Sequence, residues 1–159
     1  MSEKITLAKG LNMGLRKAME DDPKVLLMGE DVGKLGGVFR ITDGLQKDFG
    51  EDRVIDSPLA ESGIVGTAVG MALRGYRPVV EIQFDGFVYP AYDQIVCQVA
   101  KMRYRSKGHS PMPMMAGRTT YNHSPSDLKA YCMARNNTLN LREYRGWLHV
   151  LLFWAKTVW

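Results

Sequence analysis

Residues 53–70 read Arg53-Val54-Ile55-Asp56-Ser57-Pro58-Leu59-Ala60-Glu61-Ser62-Gly63-Ile64-Val65-Gly66-Thr67-Ala68-Val69-Gly70. Arg53 to Asp56 is a short β-branched run that stops before Pro58, because the residue before a proline is pushed out of helical backbone space. Ser62 to Leu73 then carries helical spacing. A buried strand running straight into a helix is one half of a parallel β-α-β unit, and the flanking sequence supplies the rest. Val25-Leu26-Leu27-Met28-Gly29 is a fully apolar run bounded by Pro23 and Gly29, which predicts a buried strand. Tyr76 to Phe84 centres on Pro78-Val79-Val80-Glu81-Ile82, a third strand.

Helical patterns fill the gaps. Ile5, Ala8, Leu11, Leu15, Ala18 and Met19 recur at helical spacing, and Asp21-Asp22-Pro23 ends that helix. Thr42 to Phe49 is short enough for one or two turns. Val88 to Arg105 predicts one long amphipathic helix through Tyr92, Ile95, Val96, Val99 and Met102. Strands alternating with helices predict the α/β class: a parallel sheet with helices on both faces.

Composition narrows the function classes. The 159 residues are 45% hydrophobic and 24% charged, as in ordinary globular domains. No apolar run approaches the roughly 18 residues needed to span a bilayer. The N-terminus MSEKITLAKG has no apolar core of a secretory signal, so no membrane role is expected. Cys97 and Cys132 fit neither a zinc site nor a disulfide framework, which makes the cytoplasm the expected compartment. The net charge of +4 is unevenly placed. Residues 1–115 hold 15 Lys and Arg against 15 Asp and Glu, and residues 116–159 hold 6 against 2. The main domain is therefore neutral, and nucleic-acid binding is not expected. No nucleotide-binding glycine signature is found, and His109, His123 and His149 lack metal-ligand spacing, so no metal site is expected.

Glu61 is the carboxylate that stands out. It sits between a strand's carboxyl end and a helix, where open α/β sheets bind ligands. Two readings stand: a ligand-binding acid, or a helix N-terminal carboxylate facing the macrodipole. The helix behind it carries Gly63, Gly66 and Gly70. Each interior glycine costs about 0.5–1 kcal/mol relative to alanine, so a close neighbour is expected along that face. Glu30-Asp31 follows the first strand and either lines the same crevice or forms a solvated turn. Glu81 is either a buried polar group or a residue near a sheet edge. Gln83 and Phe87 fall at the third strand's carboxyl end, with Phe87 either stacking on a ligand or filling core.

Several segments together resemble one family. VLLMGEDVG, GGVFRITDGL, RVIDSPLAESGIVGTAVGMALRGYRPVVEIQF and YPAYDQIVCQVAKMRYRSKG are similar to the β-subunit of thiamine-diphosphate-dependent 2-oxo-acid dehydrogenases, in order and spacing, over residues 4–115. EIQF-x5-PAYDQ looks closer to the branched-chain type than to the pyruvate type, though the two overlap. The resemblance implies a transketolase-like pyrimidine-binding domain over residues 1–115. It implies that Glu61 activates the cofactor by bonding the aminopyrimidine ring nitrogen. It places Leu59, Gln83 and Phe87 against that ring, with Phe87 stacking on it. It also implies an α-subunit that supplies the diphosphate and magnesium half, a lipoyl-bearing acyltransferase partner, and a 2-oxo acid substrate.

The family pattern stops near Met115. Residues 116–159 read as a tail without family resemblance, as from a shifted frame or an aberrant end. The expected glycine-rich turn and His-His-Ser segment are missing, and Asn122-His123-Ser124 matches the latter only faintly, which leaves a substrate role for His123 open. The alternative to an enzyme subunit is a non-catalytic truncated fragment acting at most through subunit contacts.

Overall fold

The computed structural model of the chain describes residues 5–118. Strands β1 (Val25–Gly29), β2 (Val54–Asp56), β3 (Arg77–Ile82) and β4 (Met115–Arg118) form one sheet in the order β2-β1-β3-β4. Every neighbouring pair is parallel. The helices are α1 (Leu7–Asp21), α2 (Leu45–Phe49), α3 (Glu61–Leu73), α4 (Val88–Asp93) and α5 (Met102–Arg105). The α/β architecture expected from the alternation is the one adopted, and the sheet runs on through Arg118.

All five residues of β1 are buried, which is why its sequence is apolar without alternation: a central parallel strand is covered on both faces. Successive side chains point to opposite faces. Val25 and Leu27 join Ala18 and Met19 of α1, Leu45 of α2, and Val54. Met28 joins Ile64, Val65 and Ala68 of α3, with Val80, Ile82 and Ala91. Helix α1 begins at Leu7 rather than Ile5 because Thr6 caps it, its hydroxyl accepting from Lys9 N–H at 3.2 Å. None of the described helices is long and apolar enough to cross a membrane.

Two expectations change. The single helix expected over Val88–Arg105 is α4, a π-helical segment Gln94–Val99, and α5. The wider turn is closed by Ala100 N–H bonding Ile95 C=O at 2.9 Å, five residues back. It keeps Ile95 and Val99 against the α3 cluster and leaves the Gln94 side chain beside Gly66. Apolar spacing alone does not register that change, since residues three and four apart still share a face. Only Gly66 among the α3 glycines meets another element: a methyl group there would lie 3.6 Å from Gln94 Cδ. Gly63 would meet only Ala60 of its own turn, and Gly70 faces open space.

Strand order places the site. From β1 the chain moves to β2 on one side, then crosses to β3 on the other. The crevice of such a sheet opens at the carboxyl ends of the strands flanking that reversal, here β1 and β3.

Candidate active site

Three connections converge on that edge. Glu30 follows β1 directly, Ser57 to Ala60 link β2 to α3, and Gln83 follows β3. The Gln83 Nε2 donates to the Glu30 carbonyl at 3.3 Å, tying the β1 and β3 ends together. Ser57 N–H bonds Gly29 C=O at 2.8 Å, and Asp56 Oδ1 accepts from Gly33 N–H at 2.7 Å.

Glu61 is the first residue of α3 and is 7% exposed. The N-cap is Ala60, which has no side chain able to cap. A carboxylate serving only the macrodipole works at an exposed position, so burial of Glu61 asks for more than that role. Its electrostatic neighbour is Glu30, itself 8% exposed. Burial first, then the Glu61 carboxylate, then Asp31 hold the Glu30 carboxyl above the usual carboxylate range. Glu30 Oε1 and Ser57 Oγ are buried and accept or donate no hydrogen bond among the described residues. Glu30, buried beside Glu61 with one oxygen unpartnered, is a place where a proton can be held.

The flanks are apolar. Leu59, two residues before Glu61, is 77% exposed. Phe87 closes a 3-10 turn, Asp85–Phe87, just beyond β3 and is 40% exposed. Phe84 packs edge-on against it, ring centroids 5.4 Å apart. Leu59, Glu61, Gln83 and Phe87 thus all lie along the carboxyl edge, with Glu61 inside and Leu59 and Phe87 at the surface. His123 lies outside the described residues. Among the described residues no group of three or more His, Cys, Asp or Glu could hold a metal ion.

Glu30 is the member that the sequence undervalues. A Glu-Asp pair after a glycine has the look of a solvated turn, and Asp31 does take left-handed backbone (φ 57°) at the surface. The available signal was position, the first residue past a wholly buried strand at the sheet's reversal. Glu81 resolves as a buried residue of an interior strand.

The comparisons with known proteins agree with this architecture. The family model described as transketolase, pyrimidine binding domain, matches residues 3–151. The pyruvate dehydrogenase E1 component subunit beta of Leifsonia xyli is 62% identical over 113 residues, covering 71% of this chain and 34% of that protein. Its namesake in Staphylococcus epidermidis is 54% identical over 110 residues, covering 69% and 34%. The 3-methyl-2-oxobutanoate dehydrogenase subunit beta of Mycobacterium tuberculosis is 54% identical over 114 residues, covering 72% and 33%. The chain spans about a third of the length of these relatives, and both pyruvate and branched-chain types are among them.

Proposed function

Because the chain belongs to the transketolase pyrimidine-binding domain family, we propose that it holds the aminopyrimidine half of thiamine diphosphate as part of a 2-oxo-acid dehydrogenase β-subunit. The observation that carries this reading is Glu61: a buried carboxyl at the sheet's carboxyl edge, opening α3 beside the buried Glu30. The surrounding groups fit such a ring. Phe87 and Leu59 offer exposed apolar surface for its faces, and Gln83 offers an amide beside the Glu30 carbonyl.

When bound, the cofactor supplies the electron sink for decarboxylation of a 2-oxo acid. The work of this chain is narrower. Glu61 holds a proton at the pyrimidine ring nitrogen and takes it back. Glu30, buried against it, retains its own proton to higher pH than an exposed glutamate does, so a reservoir lies beside the exchanging acid. Leu59 and Phe87 shield the exchange from water, which strengthens the acid's electrostatic hold.

The diphosphate and its magnesium are proposed to be held by an α-subunit, and the acyl group to pass to a lipoyl-bearing acyltransferase. Pyruvate and branched-chain 2-oxo acids are the substrate classes. The cytoplasm is the proposed compartment, in keeping with the free thiol of Cys97. The test compares two samples given thiamine diphosphate, magnesium and a 2-oxo acid. The chain alone is expected to release no carbon dioxide. Residues 1–118 grafted onto a complete β-subunit and assembled with its α-subunit are expected to turn over steadily. An assembled but inactive graft defeats the proposal.

A further inference from the structure

Phe39 lies far from Phe87 in sequence, yet three rings connect them. Phe84 stands between, 6.0 Å from Phe39 at an interplanar angle of 70° and 5.4 Å from Phe87 at 78°. Both contacts are edge-to-face, the arrangement that sets a positive ring edge against a negative ring face. The second contact is built by the backbone. Phe87 N–H bonds Phe84 C=O at 3.0 Å, and residues three apart in a 3-10 turn eclipse one another.

The first contact is built by the loop that carries Phe39. Gly36 and Gly37 hold φ of 80° and 76°, a region that glycine enters at little cost. A methyl group on Gly36 would come within 2.8 Å of Asp43 Cα. Gly37 N–H bonds Asp31 C=O at 2.8 Å, and Thr42 N–H bonds Gly36 C=O at 3.1 Å. From α1, Asn12 Nδ2 donates to the carbonyls of Ile41 at 2.7 Å and Asp43 at 3.0 Å. Arg40, also left-handed with φ 59°, is held by an ion pair to Asp43 at 3.1 Å and by the Leu35 carbonyl. With Val32, Ile41, Thr42 and Leu45 buried beneath, the crest of this loop is fixed against the sheet. Phe87, by contrast, is 40% exposed and has no comparable frame of its own.

We propose that Phe39 is a positioning residue which, through Phe84, fixes the orientation of the Phe87 ring and so the face offered to the cofactor's pyrimidine. The proposal rests on the reading of Phe87 as the stacking ring. It makes the Gly33–Gly44 loop part of the site although no residue of it need touch the ligand. The chain's five phenylalanines make the relay directly observable.

The full chain labelled at phenylalanine rings is followed by NMR without ligand, and then titrated with the free thiamine pyrimidine, 4-amino-5-hydroxymethyl-2-methylpyrimidine. Phe39→Leu is expected to move the Phe87 ring signals in the free chain and to weaken pyrimidine binding by about two- to twelvefold at most, the full worth of one aromatic pair. Phe39→Tyr, which retains the ring edge, is expected to do neither. Phe49→Leu, which removes a ring that contacts Arg16 and Arg53 and no ring of the relay, is expected to leave Phe87 in place while lowering stability. That separates positioning from general weakening. If Phe39→Leu leaves the Phe87 signals unmoved, or moves them without weakening binding, the relay is overturned and the pyrimidine reading survives. If the wild-type chain does not bind the pyrimidine, or Phe87→Leu binds it as well as the wild type, the reading fails and the inference with it.

Discussion

At the amino edge of the sheet, the Arg53 guanidinium donates to the carbonyls of Met19, Asp22 and Val25, each at 2.9 Å from Nη2, and lies over the Phe49 ring at 5.3 Å. At the carboxyl edge, Glu30 Oε1 and Ser57 Oγ are buried with no such partner among the described residues. Both edges bury polar groups next to strand ends. One satisfies them with a cation, and the other gathers carboxyls and leaves them unmet. Buried polar groups without partners destabilise a fold, and they concentrate where a ligand later supplies the missing bonds. The amino edge therefore reads as the part that holds the sheet together, and the carboxyl edge as the part that uses the stability so gained.

The largest effect should come from Glu61. In the grafted and assembled enzyme, Glu61→Gln keeps the shape of the side chain and removes the acid. General acid–base steps contribute about 10²–10⁴-fold, and a loss of turnover on that scale is expected. Stability should move by about 2 kcal/mol at most, the upper worth of a partly buried first-turn carboxylate to its helix. Turnover within a few-fold of the parent, together with a clear loss of melting temperature, would make Glu61 a structural residue and erase the contrast between the edges.

Arg53 should behave in the opposite way. Arg53→Met keeps an apolar stem under Phe49 but strips three carbonyls of a charged donor. We expect about 3 kcal/mol lost in urea unfolding, from the cost of unmet buried groups and charge-assisted bonds. Turnover per folded, assembled molecule should be unchanged. A loss under about 0.5 kcal/mol, the usual range of a surface substitution, would show that the amino edge does not depend on its cation.

Glu30 tests whether the carboxyl edge stores instability. Its folded pKa lies above the ordinary 4.5, so the native state holds the proton more tightly than the unfolded chain does. Stability from this group is fully present below about the ordinary value and is lost as pH rises through the folded value. Glu30→Gln should flatten that descending limb and leave the protein more stable at neutral pH, by on the order of 1 kcal/mol. Urea unfolding across pH is the measurement. An unchanged slope between the two proteins would mean that neither burial nor the neighbouring Glu61 and Asp31 raises the Glu30 carboxyl in solution.

Sequence reading reaches the strands and the outline of the carboxyl edge, and it stops at what depends on packing, the Arg53 contacts of the amino edge included. The buried run Val25–Gly29 and the strand-to-helix step at Pro58–Glu61 carry the sheet, and with it the position of Glu61. The same reading gives Gln83 and Phe87 their place at a strand end. It does not give the burial of Glu30, because its neighbours Glu61 and Gln83 arrive from the start of α3 and the end of β3. Nor does it give the π-helical turn at Gln94–Val99, since an extra residue there leaves the apolar spacing nearly intact. Phe39 is invisible for the same reason: its partner Phe84 is brought to it by the sheet and by no local pattern.

The smallest expected effect is at the amino edge and has the opposite pH sign. Asp22 pairs with Arg77 and accepts from Lys24 N–H at 2.8 Å. Burial alone would raise its carboxyl, but the Lys24 N–H and the Arg77 guanidinium outweigh it, and the pKa lies below the ordinary 3.8. A lowered carboxyl stabilises the fold above the unfolded value, and that stability is lost as pH falls through the folded one. Because Arg77 is half exposed, water and salt screen the pair. Arg77→Ala should cost about 0.5 kcal/mol at low ionic strength and close to nothing in about 1 M salt. Asp22→Asn should flatten the acid limb below about pH 4 and leave the upper limb alone, whereas Glu30→Gln should do the reverse. The two edges are separate structures joined only through the length of the strands, so the double variant should show the sum of both changes to within about 0.5 kcal/mol. A double variant that departs further from additivity would mean that the amino edge senses the carboxyls at the other end, and the division of labour between the edges would not hold.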